Sequence, residues 1–197
     1  MLDFVEINKS YFFKEYFDKL DKRYWTFAIA LGLFFQRDGD VIVETGCVRQ
    51  KDDWGAGNST RIFGRFCKKY NFNLITVDDN WEHLEVAKKL TQEYKNNIDY
   101  EYSDSVKFLE KYDDRIDLLY LDSLDCTENP HDCNLESQTH VIRELDAAKN
   151  KLTKDSIILL DDNLFINGGK TRLAKNWLTK NDWICVMDYK QSLWIRR

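Results

Sequence analysis

Two short acidic stretches sit at the ends of apolar runs: Asp122 closes "IDLLYLD", and Asp162 and Asn163 close "SIILLDDN". Carboxylate and amide oxygens brought together in this way suit a hard divalent cation such as magnesium, which lowers the pKa of a bound hydroxyl and fixes its position. Asp161 substitutes for Asp162 as a ligand if the run ends one residue earlier. The same residues also read as a plain polar strand end that caps a helix or holds an amino group. His131 and His140 lie in or just beyond the proline-containing segment "CTENPHDCN" and have the pKa range of a general base near neutral pH. Solvated loop histidines are the alternative. A zinc set from Cys126, His131, Cys133 and His140 matches no compact zinc module.

A second group of residues points to a bound ligand. The stretch "VIVETGCVRQKDDWGAGNST", residues 41–60, runs from an apolar strand into a glycine-rich turn and then toward a helix. Gly46 permits close approach of the backbone, Gly55 and Gly57 can take positive φ, and the hydroxyl of Ser59 or Thr60 can cap the helix. Asp78 closes the next apolar run, 21 residues after Gly57. An acid about 20 residues beyond such a turn accepts hydrogen bonds from a ribose diol in nucleotide-binding folds, although aspartate is also common wherever a strand gives way to a turn.

These residues need elements to hold them in place. Apolar positions recur at helical spacing before residue 37, at Phe12, Phe13, Tyr16, Phe17 and Leu20 and then at Trp25, Ala28, Ile29 and Leu31, which predicts two helices. The aromatic stretch at residues 11–17 could cover a ligand or form a wall for a second substrate, or be core. From residue 41 short apolar runs, "VIVET", "LITVD", "IDYEY", "IDLLYLD" and "SIILLDD", alternate with amphipathic stretches. Continuous apolar strands alternating with helices imply a parallel sheet covered on both faces. "WICVMDY" and "SLWIRR" follow each other too closely for a crossover helix, so the chain should finish in an antiparallel hairpin. Ligands of such sheets bind at the carboxyl ends of the strands, where the acids and glycines above lie.

Composition limits the partners. A chain of 197 residues with 43% hydrophobic and 32% charged residues is expected to form a single domain, with residues 1–40 as helices over the site and 41–197 as the core. The net charge of -5 is spread along the sequence, which argues against nucleic acid and for a small-molecule partner; self-association is left open. No apolar run approaches the roughly 20 residues of a membrane span, and the start, "MLDFVEINKS", does not read as a signal peptide. Five scattered cysteines without a CxxC pair fit reduced thiols, so the cytoplasm is the expected compartment.

The motifs "VETG", "GNST", "TVDDNWEHLEVAKK", "YSDSVKFL", "DLLYLD" and "SIILLDDN", in this order, resemble those of class I S-adenosylmethionine-dependent methyltransferases, and more narrowly the small O-methyltransferase-like proteins. The resemblance covers residues 41–197 and implies an α/β Rossmann-like fold with a mostly parallel seven-stranded sheet and an antiparallel C-terminal hairpin strand. It places Glu44 and Gly46 under the methionine part of S-adenosylmethionine, with Ser59 and Thr60 nearby and Gly55 or Gly57 in contact. Asp78 would hold the ribose, Ser103, Asp104 and Ser105 would meet the adenine, and Asp122 would face the methyl group. Asp122, Asp162 and Asn163 resemble the magnesium ligands of catechol O-methyltransferase. The loop at residues 47–56 is longer than the family usually has, and its charged residues would form a rim against the acceptor. The implied activity is O-methylation of a small-molecule hydroxyl, such as a sugar or a natural-product intermediate. A non-catalytic cofactor-binding protein and a nicotinamide-dependent oxidoreductase are the alternatives.

Overall fold

The computed structural model describes residues 13–52, 54, 58–127, 129 and 134–196. Gly55, Gly57, His131 and Cys133 therefore lie outside the described residues, as do the first two residues of the aromatic stretch at 11–17. Two helices, α1 (Phe13–Leu20) and α2 (Tyr24–Gln36), precede strand β1 (Val41–Thr45). The core then alternates α3 (Ser59–Tyr70), β2 (Asn73–Asp78), α4 (Trp81–Leu90), β3 (Ile98–Tyr102), α5 (Ser105–Lys111), β4 (Ile116–Leu121), α6 (Leu135–Ala148) and β5 (Leu152–Leu160). Helix α7 (Thr171–Lys180) leads to the hairpin β6 (Trp183–Asp188) and β7 (Ser192–Arg196).

The seven strands form one sheet in the order β3-β2-β1-β4-β5-β7-β6. Strands β1 to β5 pair in parallel, and β7 runs antiparallel to both β5 and β6, as the short connection between the last two strands requires. All six residues of β4 are buried, the pattern of a central strand covered on both faces. On one face Phe27, Leu31 and Phe34 of α2 and Phe63 and Phe66 of α3 pack on Ile42, Leu118, Ile157 and Leu193. On the other, Leu109, Val141, Leu145, Ala174 and Leu178 of α5, α6 and α7 pack on Val43, Leu119 and Ile158. Helix α2 is apolar almost all round because it is buried against the sheet. No helix of the described residues is long and apolar enough to cross a membrane.

Strand β5 begins four residues earlier than its apolar run suggests. Leu152 already pairs with Ile116, and the Ser156 hydroxyl donates to the Ile116 carbonyl (2.6 Å) where the register shifts. The strand also ends at Leu160, so Asp161 and Asp162 both lie beyond it.

Candidate active site

The carboxyl ends of the paired parallel strands β1 and β4 define the floor of the site. Gly46 leaves β1 with φ +81°, and a Cβ there would sit 2.5 Å from the carbonyl oxygen of Asp122. The glycine is thus required first by the exit of β4, which passes against it, a closer constraint than approach to a ligand. Two adjoining recesses share Gly46, Asp78, Asp79 and Ser123. One extends over Val77, Leu124, His140 and residues 103–105; the other extends over Cys47, Arg49, Ser59 and Asp122.

Asp78 joins the two recesses. One carboxylate oxygen accepts from the Cys47 amide (3.1 Å) and thiol (3.3 Å), and the other accepts from the Asn80 amide (2.8 Å), with His83 Nδ1 at 3.3 Å. A carboxylate offers about four acceptor positions, so this acid pins the start of the long loop, and a ligand donor would share oxygens that these groups already face. Asp104 caps α5 by accepting from the Lys107 amide (2.9 Å), and Ser105 opens that helix. Segment 103–105 therefore reaches the first recess as a rigid helix start.

Glu44 is fully buried and pairs across the strands with Thr76, whose hydroxyl donates to Oε2 (2.8 Å). Among the described residues none meets hydrogen-bond geometry with its Oε1, although the Ser59 and Thr60 hydroxyls lie close to the carboxyl. Burial raises its pKa to about 7 against the pull of the Ser59, Thr60 and Thr76 hydroxyls. Neither Ser59 nor Thr60 caps α3. Asn58, in the left-handed region, occupies the cap position, and the Thr60 hydroxyl instead accepts from the Val48 amide (2.9 Å), tying down the loop. The charged loop reaches across the second recess, where Arg49 pairs with Asp125 (2.6 Å).

His140 lies on α6 with Ser105 Oγ at 2.9 Å and Glu144 Oε1 at 3.6 Å. The Glu144 carboxylate raises its pKa, and Glu144, although buried, is held below its ordinary value by His140 and by Ser105 and Ser123. This histidine lines the recess of segment 103–105 rather than that of Asp122, which places it away from the acid expected to face the methyl group.

The strand-end acids converge, but on protein cations. Lys170 Nζ lies 2.7 Å from Asp122 Oδ1 and 3.2 Å from Asp162 Oδ2, and its side chain is 1% exposed. Arg23, between α1 and α2, pairs with the fully buried Asp161 (2.9 Å) and reaches Asp162 (3.5 Å). The Tyr120 hydroxyl links Asp161 to Asp122, and Gln191 Nε2 donates to Asp161 (3.1 Å). Burial opposes both cations, yet the surrounding carboxylates raise the pKa of each on balance and keep them charged. Burial, with Asp161 and Asp162 alongside, lifts Asp122 well above the usual carboxylate range despite Lys170.

This arrangement does not fit the expected magnesium set of Asp122, Asp162 and Asn163. The Asn163 amide donates to Asp188 (2.6 Å) and to the Tyr189 carbonyl, its oxygen accepts from Thr171, and the space between Asp122 and Asp162 holds the lysine ammonium. Asp161, the substitute ligand, is taken by Arg23. Among the described residues no group of three or more His, Cys, Asp or Glu side chains could hold a metal ion.

Lys170, Arg23, Tyr120 and Asp79 escaped the sequence reading. The signal for Lys170 was the glycine pair just before it in "INGGKT", since paired glycines after a strand-end acid bring the chain back on itself. A Cβ on Gly169 would fall 1.7 Å from the Asp162 carbonyl oxygen, so only glycine lets the segment fold over the acids. Arg23 lies in the charged "DKR" between an amphipathic helix and an apolar one, where nothing local marks it as buried.

A family model described as a methyltransferase domain matches residues 54–163. No curated protein matches the sequence. Among solved structures, a Podospora anserina methyltransferase bound to SAH, PaMTH1, superposes with a TM-score of 0.60 at 15% identity, covering 98% of this chain and 86% of its own. The calicheamicin methyltransferase CalS11 gives 0.59 at 14%, covering 90% and 80%. The O-methyltransferase NovP gives 0.57 at 12%, covering 85% and 76%. These likenesses carry the fold, and the nicotinamide-dependent alternative falls with the family match. With that match spanning more than half of its length over a Rossmann-like sheet that ends in antiparallel strands, the chain belongs to the methyltransferase-domain family, as a class I S-adenosylmethionine-dependent methyltransferase.

Proposed function

We propose that this protein transfers a methyl group from S-adenosylmethionine to a hydroxyl of a small-molecule acceptor. The observation that carries the reading is the pair of joined recesses at the carboxyl ends of the strands, with one end bordered by segment 103–105 and Leu124 and an acidic end at Asp122. The donor set suits the cofactor: acids Asp78, Asp79 and Asp122 favour a ligand carrying a sulfonium, an ammonium and a ribose diol, and Val77 and Leu124 offer apolar contact to a base. In this reading Asp78 holds the ribose, Ser103, Asp104 and Ser105 border the adenine, and Gly46, Ser59 and Thr60 border the methionine part above Glu44. His140 supports the adenine end through Ser105 rather than acting as the base.

The cofactor, when bound, supplies an electrophilic methyl carbon, which bonds to the acceptor oxygen as its bond to sulfur breaks and the electron pair stays on sulfur. Asp122 orients the acceptor hydroxyl and takes its proton. Holding nucleophile and methyl carbon in line and near contact accounts for much of the rate such an enzyme needs. Tyr120 and Lys170 fix the Asp122 carboxylate from two sides, so its geometry is set before the acceptor arrives. Leu164 and Ile166, exposed in the loop that follows the acids, suit an acceptor with an apolar body, as a natural-product intermediate has. The likeness to the O-methyltransferase NovP is in keeping with oxygen as the nucleophile.

Calorimetry with S-adenosylmethionine and S-adenosylhomocysteine, followed by transfer of labelled methyl into a metabolite extract, tests the reading. Heat of binding and label in a hydroxyl-bearing small molecule are expected. Folded protein that binds neither ligand, or label found only in protein or nucleic acid, would sink it.

A further inference from the structure

We infer that the Lys170 ammonium takes the place of a divalent cation at the strand-end acids, so that Asp122 is held for methyl transfer by a charge built into the chain. The consequence for catalysis rests on the proposed methyl transfer; the geometry does not.

Three observations support it. The ammonium bridges Asp122 (2.7 Å) and Asp162 (3.2 Å), the two carboxylates that would otherwise share a cation. The chain is shaped to deliver it: Asp162 adopts φ +53°, Gly169 adopts φ +52° against the Asp162 carbonyl, and Lys170 enters the cluster immediately afterwards. The same segment withdraws Asn163, whose oxygen is taken by Thr171, the residue next to Lys170. A divalent ion such as magnesium would need carboxylate oxygens at about 2.1 Å, which an ammonium already within hydrogen-bond distance of both acids prevents. A fully buried lysine is costly unless paired, so the cluster keeps Lys170 in place as firmly as Lys170 keeps the cluster. Because the ammonium is shielded from the cleft, it touches neither donor nor acceptor. It acts through Asp122 and is a positioning residue.

The test compares metal response before and after the ammonium is removed. Chelator-treated wild type, titrated with millimolar Mg2+ or Mn2+ in a thermal-shift assay, should show no saturable rise in Tm, and its methyl transfer should be the same with and without chelator. Lys170→Met leaves Asp122 and Asp162 facing each other without their shared cation. Its Tm should fall, and Mn2+ at roughly ten times its dissociation constant should then raise it by about 3–6 °C. The double variant Lys170→Met, Asp162→Asn should regain stability and lose the metal response. A saturable metal shift in wild type, or a folded Lys170→Met that ignores both metals, overturns the inference. If Lys170→Met fails to fold, the wild-type titration decides alone. S-adenosylmethionine binding by wild type is measured in parallel, so that failure of the methyl-transfer reading is seen separately from failure of the metal argument.

Discussion

Glu44 ties stability to pH in a way that one substitution isolates. Its carboxyl has an ordinary pKa of 4.5 and is raised to about 7 by burial in the folded protein. Between these values the folded protein keeps a proton that the unfolded chain has released. Stability rises with pH only where the unfolded state binds more protons, so here it must fall as pH climbs from about 4.5 to about 7, and level off above. At 1.36 kcal/mol per pKa unit the whole effect is about 3 kcal/mol. Glu44→Gln keeps the shape and an acceptor for Thr76 but cannot ionise, so it mimics the protonated acid. Urea unfolding of both proteins from about pH 5 to about pH 8 is the assay, and background titrations cancel in their difference. Near pH 5 the variant should match the wild type or be slightly less stable. By pH 8 it should have gained about 3 kcal/mol relative to wild type. A difference that stays flat across this range would refute the argument, because it would mean that Oε1 finds a partner or water that ionised Glu44 tolerates.

Asp78→Ala should weaken S-adenosylmethionine binding by roughly ten- to a hundredfold in calorimetry, the loss of hydrogen bonds worth about 1.5–3 kcal/mol; unchanged affinity would reduce Asp78 to an anchor for Cys47 and Asn80. Arg23→Met strips the fully buried Asp161 of its ion pair and should cost about 3–5 kcal/mol in chemical denaturation. Gly169→Ala forces a side chain against the Asp162 carbonyl at positive φ, and should cost at least about 1–3 kcal/mol of stability and lower methyl transfer. His140→Gln should be more destabilising below about pH 6.5 than at high pH, since a histidine with a raised pKa contributes stability at low pH that is lost as pH rises through its folded value; equal loss at both ends would remove its charge from the account.

The sheet could be read from the sequence because its central strands are buried on both faces. Runs such as "VIVET" and "IDLLYLD" need only be apolar, short and bounded by helices, and β1 and β4 fall on them to within a residue. The reading of the closing hairpin rested on chain length alone, because a two- or three-residue link cannot hold a crossover helix. The site was less legible. Asp78, Asp122, Asp162 and residues 103–105 stand at strand ends, where position along the chain fixes position in space. Which partner each acid takes does not follow from strand ends. Arg23 lies 138 residues from Asp161, and the turn that brings Lys170 to Asp122 depends on four residues at positive φ, Asp162, Asn167, Gly168 and Gly169. Oxygen donors alone suggested a cation, and that expectation was sound in charge but not in kind: the cations are an arginine and a lysine.

That difference in kind alters how a hydroxyl can be activated. A divalent ion between Asp122 and Asp162 would neutralise the acids and lower the pKa of a hydroxyl bound to it, leaving the carboxylates as ligands. Arg23 and Lys170 instead bring two positive charges to three carboxylates, of which Asp122 borders the cleft. Burial, joined by the neighbouring Asp161 and Asp162, raises the pKa of Asp122 against the pull of Lys170, which makes it a stronger base than an exposed carboxylate. In the proposed transfer Asp122 gains a proton in the same event in which positive charge is lost at sulfur, so a negative and a positive charge vanish together. In a partly desolvated cleft that mutual loss lowers the cost of the transition state relative to the separated charges before it. In the proposed transfer the lysine therefore does more than fill a metal's place: it fixes the Asp122 carboxylate at 2.7 Å, while its charge moderates a basicity that burial and the neighbouring acids raise.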